Sequence, residues 1–466
     1  MSVGNINNWF NYLSKRRVSE LKDTDLIPVG RSNRKSFNFW SPRSITYKEL
    51  KRILGGFSDI PIQDNTWNMP GVAFVDPVNG DNNTGNVGDG NKPYSTVSAA
   101  ILAGPDAIFL LPGNYSETIN LTSGMTYFSY PGVTFVSGGL RAISTQEGTK
   151  WLGYSSFIGD FQMIYFNNSV DLIDFTIEFD EIIETGTSAA RALVLYGGTT
   201  NLSTVNVKGR KLNAKAANAH GLYVRNRLGG SITIDEIISD YGTINAFAHD
   251  NAELEITFKK AIVRDGGFAG NLANYSQVFI SYISTATSKI ILNGDMYNEV
   301  ASLQASNGAT VTTWLNCLGT VIINGSIFAN VNRGIYNTGG NIILRGSLNT
   351  SDLAVQSAAG NTSFEGSNIT QGKSSLLSGT GKTWLSGCQV NSTAVDHIID
   401  VTANTNELYV HNTVLEGSAG LCVEHNATTA TIGFANTSSN LANSALTDAY
   451  TPSGFLQQTG ITTPNF

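Results

Sequence analysis

Seven short segments of the chain share one pattern, an apolar residue followed by a polar or small residue and then by Gly or Asn. They are Leu292-Asn293-Gly294, Ile323-Asn324-Gly325, Leu344-Arg345-Gly346, Phe364-Glu365-Gly366, Leu385-Ser386-Gly387, Val410-His411-Asn412 and Phe434-Ala435-Asn436. Successive apolar residues are 31, 21, 20, 21, 25 and 24 positions apart. A recurrence at this spacing is typical of stacked repeats, because each repeat is too small to bury its apolar side alone.

The residues before each repeated apolar position are typical of strands. Runs such as Thr320-Val321-Ile322-Ile323 and Lys382-Thr383-Trp384-Leu385 are rich in β-branched and aromatic residues and are bounded by Gly, Asn and Ser. No long stretch here carries apolar residues at helical spacing, which weighs against helical repeats. The pattern therefore predicts an all-β chain that stacks coils of ~20–30 residues as a parallel β-helix solenoid. The alternative is a large β-sandwich in which the spacing is accidental.

Composition narrows the classes of function. The net charge is −7, whereas a general nucleic-acid binder would carry a basic face. No apolar run approaches the ~18 residues of a membrane span, so we expect no membrane insertion. The polar segment Met1–Tyr12 does not resemble a signal peptide. Cys317, Cys388 and Cys422 are far apart and the histidines are scattered, so we predict buried, reduced cysteines and neither a metal site nor a cofactor.

Residues 1–70 are locally basic and rich in large aromatic residues, unlike the rest of the chain. A segment too small to bury its own aromatic rings is expected to dock on another protein. The residues predicted to make that contact are Trp9, Phe10, Arg16, Arg17, Phe39 and Trp40. A capping box at Thr46 and Glu49 also predicts a short helix that ends at Leu54.

The two segments Asp23–Val29 and Ile45–Leu50 carry a family resemblance. Their order resembles the small N-terminal modules of bacteriophage tail and head-fibre proteins, in which a strand pair precedes a short helix. The resemblance implies that residues 1–70 anchor the chain to other virion proteins. The alternative is an ordinary N-terminal arm with a solvated basic face.

Residues 71–136 carry a more specific resemblance. The segment Gly88-Asp89-Gly90-Asn91-Lys92-Pro93-Tyr94 leads into Ser95–Ile101, which we predict to be a short helix capped by Ser95. The predicted strand Ala107–Leu111 follows, and then Pro112-Gly113-Asn114-Tyr115-Ser116-Glu117. This order is similar to the start of pectin-lyase-like right-handed β-helices, where the helix covers the open end of the solenoid.

That resemblance implies right-handed coils and association of three chains side by side as a homotrimer. It predicts little about chemistry, because the fold hosts lyases, hydrolases and non-catalytic fibres. We expect the capping helix and the first coils in residues 71–136, the body of the β-helix in residues 137–436 and a C-terminal tail in residues 437–466.

One strand of this body carries candidate catalytic residues. Apolar and polar residues alternate through Asp174–Asp180, so Asp174, Glu178 and Asp180 are predicted to share its outer face. Same-face neighbours lie ~6.6–7 Å apart, which is compatible with the ~5–9.5 Å carboxyl separations of glycosidases. The alternative is a solvated acidic face.

Aromatic residues near turns indicate a different function. Tyr196, Tyr223, Tyr241 and Trp314 could stack on sugar rings, with Asn and Ser side chains supplying hydrogen bonds. The favoured hypothesis is therefore a fibre or tailspike-like protein on the outer surface of a phage virion that binds host-surface polysaccharide. The alternatives are a glycan depolymerase that uses the acid pair, and a non-viral adhesin, against which the polar N-terminus counts.

Overall fold

The computed structural model describes residues 26–32, 40–46 and most of 69–439. Within 69–439, the positions that are not described are 161, 167–169, 187–190, 198–202, 216–219, 227, 240–241, 249–252, 265–276, 284–286, 300–310, 316–317, 330–332, 351–352, 374, 378–379, 394–396, 403–406, 419–420, 426–430 and 436. The chain divides into two compact units, Met1–Leu111 (unit 1) and Pro112–Phe466 (unit 2).

Strands dominate the molecule. The structure is 67% strand and 2% helix, which confirms the all-β prediction. In the part of the chain that the structure describes, no helix is both long and apolar enough to span a bilayer.

Unit 1 begins with an antiparallel strand pair, β1 (Leu26–Ser32) and β2 (Trp40–Thr46), in which Leu26 lies opposite Thr46. A strand pair is what the N-terminal resemblance implies for this part of the chain. Thr46, the predicted N-cap of a helix, is the last residue of β2, and the extended backbone of a strand end is the conformation that an N-cap adopts. The rest of that predicted helix, residues 47–54, lies outside the described residues.

The second part of unit 1 is a parallel strand pair joined through a helix. It contains β3 (Val72–Val75), α1 (Val97–Leu102) and β4 (Ala107–Leu110), with Val72 opposite Ala107. The helix prediction is confirmed, but its cap is Thr96, whose side chain accepts a hydrogen bond from the Ala99 amide. Ser95 is the residue before the cap, and the amides of Ser95 and Thr96 both donate to Asn82 Oδ1, at 2.9 Å and 3.2 Å.

Unit 2 consists of short parallel strands. In chain order they are β5 (Gly113–Tyr115), β6 (Thr118–Asn120), β7 (Thr126–Ser129), β8 (Val133–Val136), β9 (Gly139–Ala142), β10 (Gln146–Glu147), β11 (Lys150–Gly153), β12 (Ser156–Gly159), β13 (Ile164–Phe166), β14 (Leu172–Ile173), β15 (Phe175–Glu184), β16 (Arg191–Tyr196), β17 (Ser203–Ala214), β18 (His220–Asn226), β19 (Leu228–Ser239), β20 (Gly242–Ala248), β21 (Glu253–Val263), β22 (Gln277–Ile283), β23 (Lys289–Asn298), β24 (Val311–Leu315), β25 (Thr320–Asn324), β26 (Ile327–Ala329), β27 (Arg333–Leu344), β28 (Leu348–Thr350), β29 (Leu353–Glu365), β30 (Asn368–Gln371), β31 (Ser375–Leu377), β32 (Lys382–Ser386), β33 (Gln389–Ser392), β34 (His397–Val401), β35 (Glu407–His411), β36 (Val414–Gly417), β37 (Leu421–His425), β38 (Thr431–Ala435) and β39 (Ser438–Ser439).

Apart from the small pair β10–β14, these strands pair into three parallel ladders. Ladder 1 joins β7, β11, the first halves of β15, β17, β19, β21 and β23, then β25, the second halves of β27 and β29, and β32, β35 and β38. Ladder 2 joins β5, β8, β12, the second halves of β15, β17, β19, β21 and β23, and β26, β28, β30, β33, β36 and β39. Ladder 3 joins β6, β9, β13, β16, β18, β20, β22, β24, the first halves of β27 and β29, and β31, β34 and β37. Each repeat therefore runs through ladders 1, 2 and 3 before the chain returns to ladder 1.

The repeated apolar residues of the sequence are register partners in ladder 1. Leu292 pairs with Ile323, Ile323 with Leu344 and Leu344 with Phe364. The remaining pairs are Phe364 with Leu385, Leu385 with Val410 and Val410 with Phe434. All seven are buried, so the sequence spacing is the length of one repeat.

Glycine is favoured at the third position of this pattern for two different physical reasons. A Cβ on Gly325 would overlap the carbonyl oxygen of Gly294, and one on Gly346 would overlap that of Gly325, so successive repeats approach too closely for a side chain. In the later repeats Gly366 and Gly387 have φ values of 62° and 65°, and Asn412 has 48°. Those values lie in the left-handed region that Gly adopts freely and Asn tolerates.

The alternation predicted for the strands is confirmed where the side chains are described. Phe175, Ile177 and Phe179 of β15 are buried, and Glu178 and Asp180 face outward between them. Inward residues of all three ladders form the core. In the first repeats that core is aromatic: the Trp151 ring lies 5.2 Å from Tyr127 and 5.7 Å from Phe135.

Two parts of unit 2 differ in their outer faces. We call residues 126–298 the charged half, because outward residues of opposite sign alternate there from one repeat to the next. One such column follows the strand register through Glu181, Lys211, Glu236, Lys260 and Asp295. We call residues 320–439 the amide half, because Asn341 and Asn361 pair in register there and Asn361 Nδ2 donates to Asn341 Oδ1 at 2.7 Å.

Candidate functional site

The three predicted catalytic acids do not form one outward row. Asp174 is exposed but precedes β15, at a φ of 49°, so it does not share the face of Glu178 and Asp180. Glu178 lies 3.5 Å from Lys208 Nζ. Both oxygens of Asp180 accept from Arg210, at 2.7 Å and 3.0 Å, and the same guanidinium contacts Glu181 at 3.0 Å. The hydrogen bond to Asp180 is the main cause that raises the pKa of Arg210.

One exposed aromatic ring lies beside these acids. Tyr154 is 38% exposed. Its own partial burial, and then the negative charges of Glu178 and Asp180, raise the pKa of its phenol. The cluster is therefore an exposed ion-pair network with one ring, in which each carboxylate of Asp180 and Glu181 is already engaged by a guanidinium.

The predicted glycan-binding residues are partly brought together. The Tyr196 and Tyr223 rings lie 5.8 Å apart on ladder 3, and Tyr165 packs against Tyr196. However, Tyr196 and Tyr223 are only 7% and 5% exposed, so their rings present little surface for stacking on a sugar. Trp314 lies at a register position of ladder 3, between Ile280 and Tyr336.

The remaining predicted contact residues are not placed by the structure. Tyr241 lies outside the described residues, and so do the predicted virion-anchoring residues Trp9, Phe10, Arg16, Arg17 and Phe39. Trp40 is the first residue of β2. Cys317 is also outside the described residues, whereas Cys388 is buried and free as predicted.

The structure reveals a different aromatic site on the outer face of ladder 1. Trp384 and Tyr409 are register partners in β32 and β35, and their rings stack at 5.8 Å with planes 14° apart. Both are half-buried, because their neighbours Thr383, Leu385, Leu408 and Val410 point inward and place them on the solvent side.

In the same column, the residues on both sides of this stack are small. Ser363 is the register partner of Trp384 in the preceding repeat, and Gly433 is the partner of Tyr409 in the next. A Cβ at Gly433 would lie 3.1 Å from Cδ1 of Tyr409, so the tyrosine ring leans over this glycine. With small residues at both ends of the stack, the rings of Trp384 and Tyr409 form a separate flat surface, which we call the ring platform.

A charged pair borders the platform. Lys382 Nζ lies 2.7 Å from Glu407 Oε1, and the Tyr409 hydroxyl donates to Glu407 Oε2 at 3.1 Å. Partial burial and this hydrogen bond raise the pKa of Tyr409, and the hydrogen bond to Glu407 raises the pKa of Lys382. Both carboxylate oxygens of Glu407 thus hold neighbouring side chains in place.

Amides continue the face along the preceding repeats. Asn341 and Asn361 occupy the column of Lys382. Arg345 and Glu365 form a pair at 2.8 Å in the column of Ser386, which is one column beyond that of Trp384. We call the surface formed by Asn341, Asn361, Lys382, Trp384, Glu407 and Tyr409 the Trp384 face. It combines flat rings with amide groups, which is what recognition of a hydroxyl-rich ligand requires.

Sequence analysis places Trp384 in a strand but does not single it out. The signal was present, since Leu385 is a repeated inward residue and the residue before it must face outward. Metal chemistry finds no support in the described ranges, where no group of three or more His, Cys, Asp or Glu side chains could hold an ion.

Comparison with known proteins found no matching family model, no matching curated protein and no matching solved structure. The resemblance to pectin-lyase-like phage fibres therefore stays a prediction.

Proposed function

We propose that this chain is a fibre or tailspike-like protein of a phage particle. In this proposal residues 1–70 attach it to other virion proteins, and the body projects from the particle surface and binds host-surface polysaccharide without cleaving it. The binding site is the Trp384 face.

The proposed architecture is a right-handed parallel β-helix. It is supported by the three parallel ladders of unit 2, because a chain that visits three ladders in turn winds once per repeat. A solenoid of this kind has a continuous outer surface along which a long ligand can lie. The association of three such chains is part of the same proposal and follows from the family resemblance.

The observation that carries the binding proposal is the stacked, outward-facing pair Trp384–Tyr409 beside Lys382, Glu407 and the asparagine amides. Large half-buried rings with polar neighbours are typical of sites that bind one flat apolar surface together with hydroxyl groups. Tyr196 and Tyr223, the residues first predicted for this role, are too well covered to provide such a surface.

Cleavage of the polysaccharide is the less favoured alternative, because the carboxylates of the charged half are already paired with basic side chains. A glycosidase needs one carboxylic acid that carries a proton and a second carboxylate that acts as a base or nucleophile. Asp180 instead accepts two hydrogen bonds from Arg210, and Glu178 lies beside Lys208. Tyr154 is the one feature that favours this alternative, since an exposed ring lies next to the acids.

The test is a binding titration of the purified full chain with polysaccharide extracted from the surface of a susceptible bacterium. We expect Trp384→Ala to weaken binding by roughly tenfold or more, which corresponds to ~1.4 kcal/mol. Phe328→Ala is the matched control, because Phe328 forms a similar outward stack with Tyr297, at 4.8 Å and 11°, on ladder 2. Equal affinities of the wild type and Trp384→Ala would overturn the proposal.

The same incubation tests the enzymatic alternative. Release of fragments with new reducing ends, abolished by Glu178→Gln or by Asp180→Asn, would identify a depolymerase and move the site to the charged half. Intact polymer with measurable binding supports the non-catalytic role.

A further inference from the structure

We infer that the ligand of the Trp384 face is an uncharged polysaccharide. This inference rests on the proposed function and names the substrate class of the same site.

The charged side chains of the face, and those of the column beside it, are already paired with each other. Arg345 lies 2.8 Å from Glu365, and Lys382 lies 2.7 Å from Glu407. An acidic sugar that took Lys382 or Arg345 as its partner would have to displace a carboxylate that is held at hydrogen-bond distance. The exchange of one ion pair for another gains little, and the net charge of −7 of the chain repels an anionic polymer.

The amides of the face match neutral hydroxyl groups. A hydroxyl both donates and accepts, as an asparagine amide does, and each amide can form up to about four hydrogen bonds. Asn361 donates to Asn341, and Asn341 Nδ2 lies 3.5 Å from Thr320 Oγ1. Since each side chain uses only part of its capacity on its neighbours, both can also bind a ligand.

The geometry of the column favours a polymer over a single sugar. Thr320, Asn341, Asn361, Lys382, Glu407 and Thr431 are successive register partners in ladder 1. Neighbouring strands lie ~4.8 Å apart, so these six positions extend over about 24 Å. A chain of several sugar units is needed to contact the amides and the ring platform at once.

The experiment compares neutral and acidic polymers of similar length. The full chain and Trp384→Ala are titrated with dextran, galactomannan, alginate and hyaluronan, and with the extracted bacterial polysaccharide before and after chemical neutralisation of its carboxyl groups. Each titration is run at ~50 mM and ~500 mM salt, because salt screens charge recognition and leaves stacking and amide hydrogen bonds nearly unchanged.

The inference predicts that at least one neutral polymer binds, that Trp384→Ala weakens this binding by roughly tenfold, and that salt changes the affinity less than about twofold. It also predicts that a single sugar unit binds at least about tenfold more weakly than the polymer. Preferential binding of acidic polymers that is lost in high salt, or loss of binding on neutralisation, would overturn the inference and leave the proposed function standing. Absence of binding to every polymer, with no effect of Trp384→Ala, would overturn both.

Discussion

The charged half and the amide half of unit 2 share the same parallel ladders. They differ in how outward side chains of successive repeats avoid unfavourable contacts with each other. In a parallel stack each side chain has a counterpart ~4.8 Å above and below it, so repetition of one charge is unfavourable. The charged half alternates sign, as in the column from Glu181 through Lys211 to Glu236. The amide half repeats asparagine, whose group both donates and accepts and can pair with its own kind, as in Asn361 and Asn341.

The two halves therefore place different requirements on the side chains of one column. A charge requires a partner of opposite sign in the next repeat, whereas an amide accepts almost any polar neighbour. We call this requirement the column rule.

The largest expected effect comes from the core of each half. Trp151 and Phe364 are fully buried, so Trp151→Ala and Phe364→Ala are each expected to lower the free energy of unfolding by about 3–5 kcal/mol. Because a repeat contacts mainly its neighbours, loss of hydrogen-exchange protection should remain near the substituted repeat. Peptide-resolved hydrogen exchange checks this. Uniform loss of protection across both halves would show that they do not behave as separable regions.

Charge reversal tests the column rule directly. Arg210→Glu places a carboxylate beside Asp180 and Glu181, and it is expected to lower the free energy of unfolding by roughly 1–2 kcal/mol at low salt. The matched variant Arg345→Glu faces only Glu365 and should cost about 0.5–1 kcal/mol. These values are modest because both guanidinium groups are about half exposed and solvent screens them. Urea unfolding at two salt concentrations measures both.

Double variants that exchange the two charges of an ion pair test the column rule more strictly. Arg345→Glu with Glu365→Arg should restore the stability, because Asn324 and Ser386 in the neighbouring repeats are uncharged. Asp180→Arg with Arg210→Asp should not, because position 210 also aligns with Asp235 in the next repeat. Equal recovery in both halves would contradict the column rule.

A smaller effect is expected from two threonines inside the amide half. Thr362 Oγ1 accepts from Asn337 Nδ2 at 3.1 Å, whereas Thr383 Oγ1 is buried without a hydrogen-bond partner among the described residues. Thr383 also lines an internal cavity of ≈ 20 Å³. Thr362→Val should therefore destabilise by about 1–2 kcal/mol, and Thr383→Val should be neutral or stabilise by up to about 1 kcal/mol. If urea unfolding gives both variants the same cost, Thr383 has a partner, and a water in the cavity would be the candidate.

The smallest effect concerns alkaline pH. The pKa values of Lys382 and Tyr409 are both raised in the folded chain, so the stability they contribute is present below their unfolded pKa values and is lost as the pH rises through the folded ones. Glu407→Gln removes the negative charge and one of the two acceptor oxygens of the carboxylate that contributes to both shifts. We expect the variant to lose less stability than the wild type between pH ~9 and ~12, and its tyrosine titration by ultraviolet absorbance to begin earlier. Identical titration curves would show that Glu407 does not bind Tyr409.

Much of the fold could be predicted because the inward column of ladder 1 is repeated in the sequence. The spacing from Leu292 to Phe434 equals the strand register, and the glycines mark where repeats approach closely or turn with positive φ. Two earlier repeats lack this pattern for a physical reason. In β19 and β21 the chain continues into the next ladder without the glycine corner, so Ile234 and Phe258 occupy the place where a glycine would mark the repeat.

The candidate site could be predicted less well. Alternation correctly assigned Glu178 and Asp180 to an outer face, but it could not show that Lys208 and Arg210, 30 positions later, would engage them. The pattern predicts binding aromatic residues near turns, but Tyr196 and Tyr223 lie in strands β16 and β18, where they are buried. Trp384 and Tyr409 also lie in strands, but on an outer face where they are only half-buried.

The alternating columns also bear on how the length of this protein can change in evolution. Loss of one repeat, residues 206–230, would bring Glu181 into register with Glu236 and Asp180 into line with Asp235, so like charges would meet at two positions. Loss of two repeats, residues 206–254, would instead bring Glu181 onto Lys260 and keep opposite signs together. The charged half should therefore gain or lose repeats in even numbers. The amide half should also tolerate the loss of a single repeat. Removal of residues 341–360 would bring Asn361 into register with Thr320, and both side chains are uncharged.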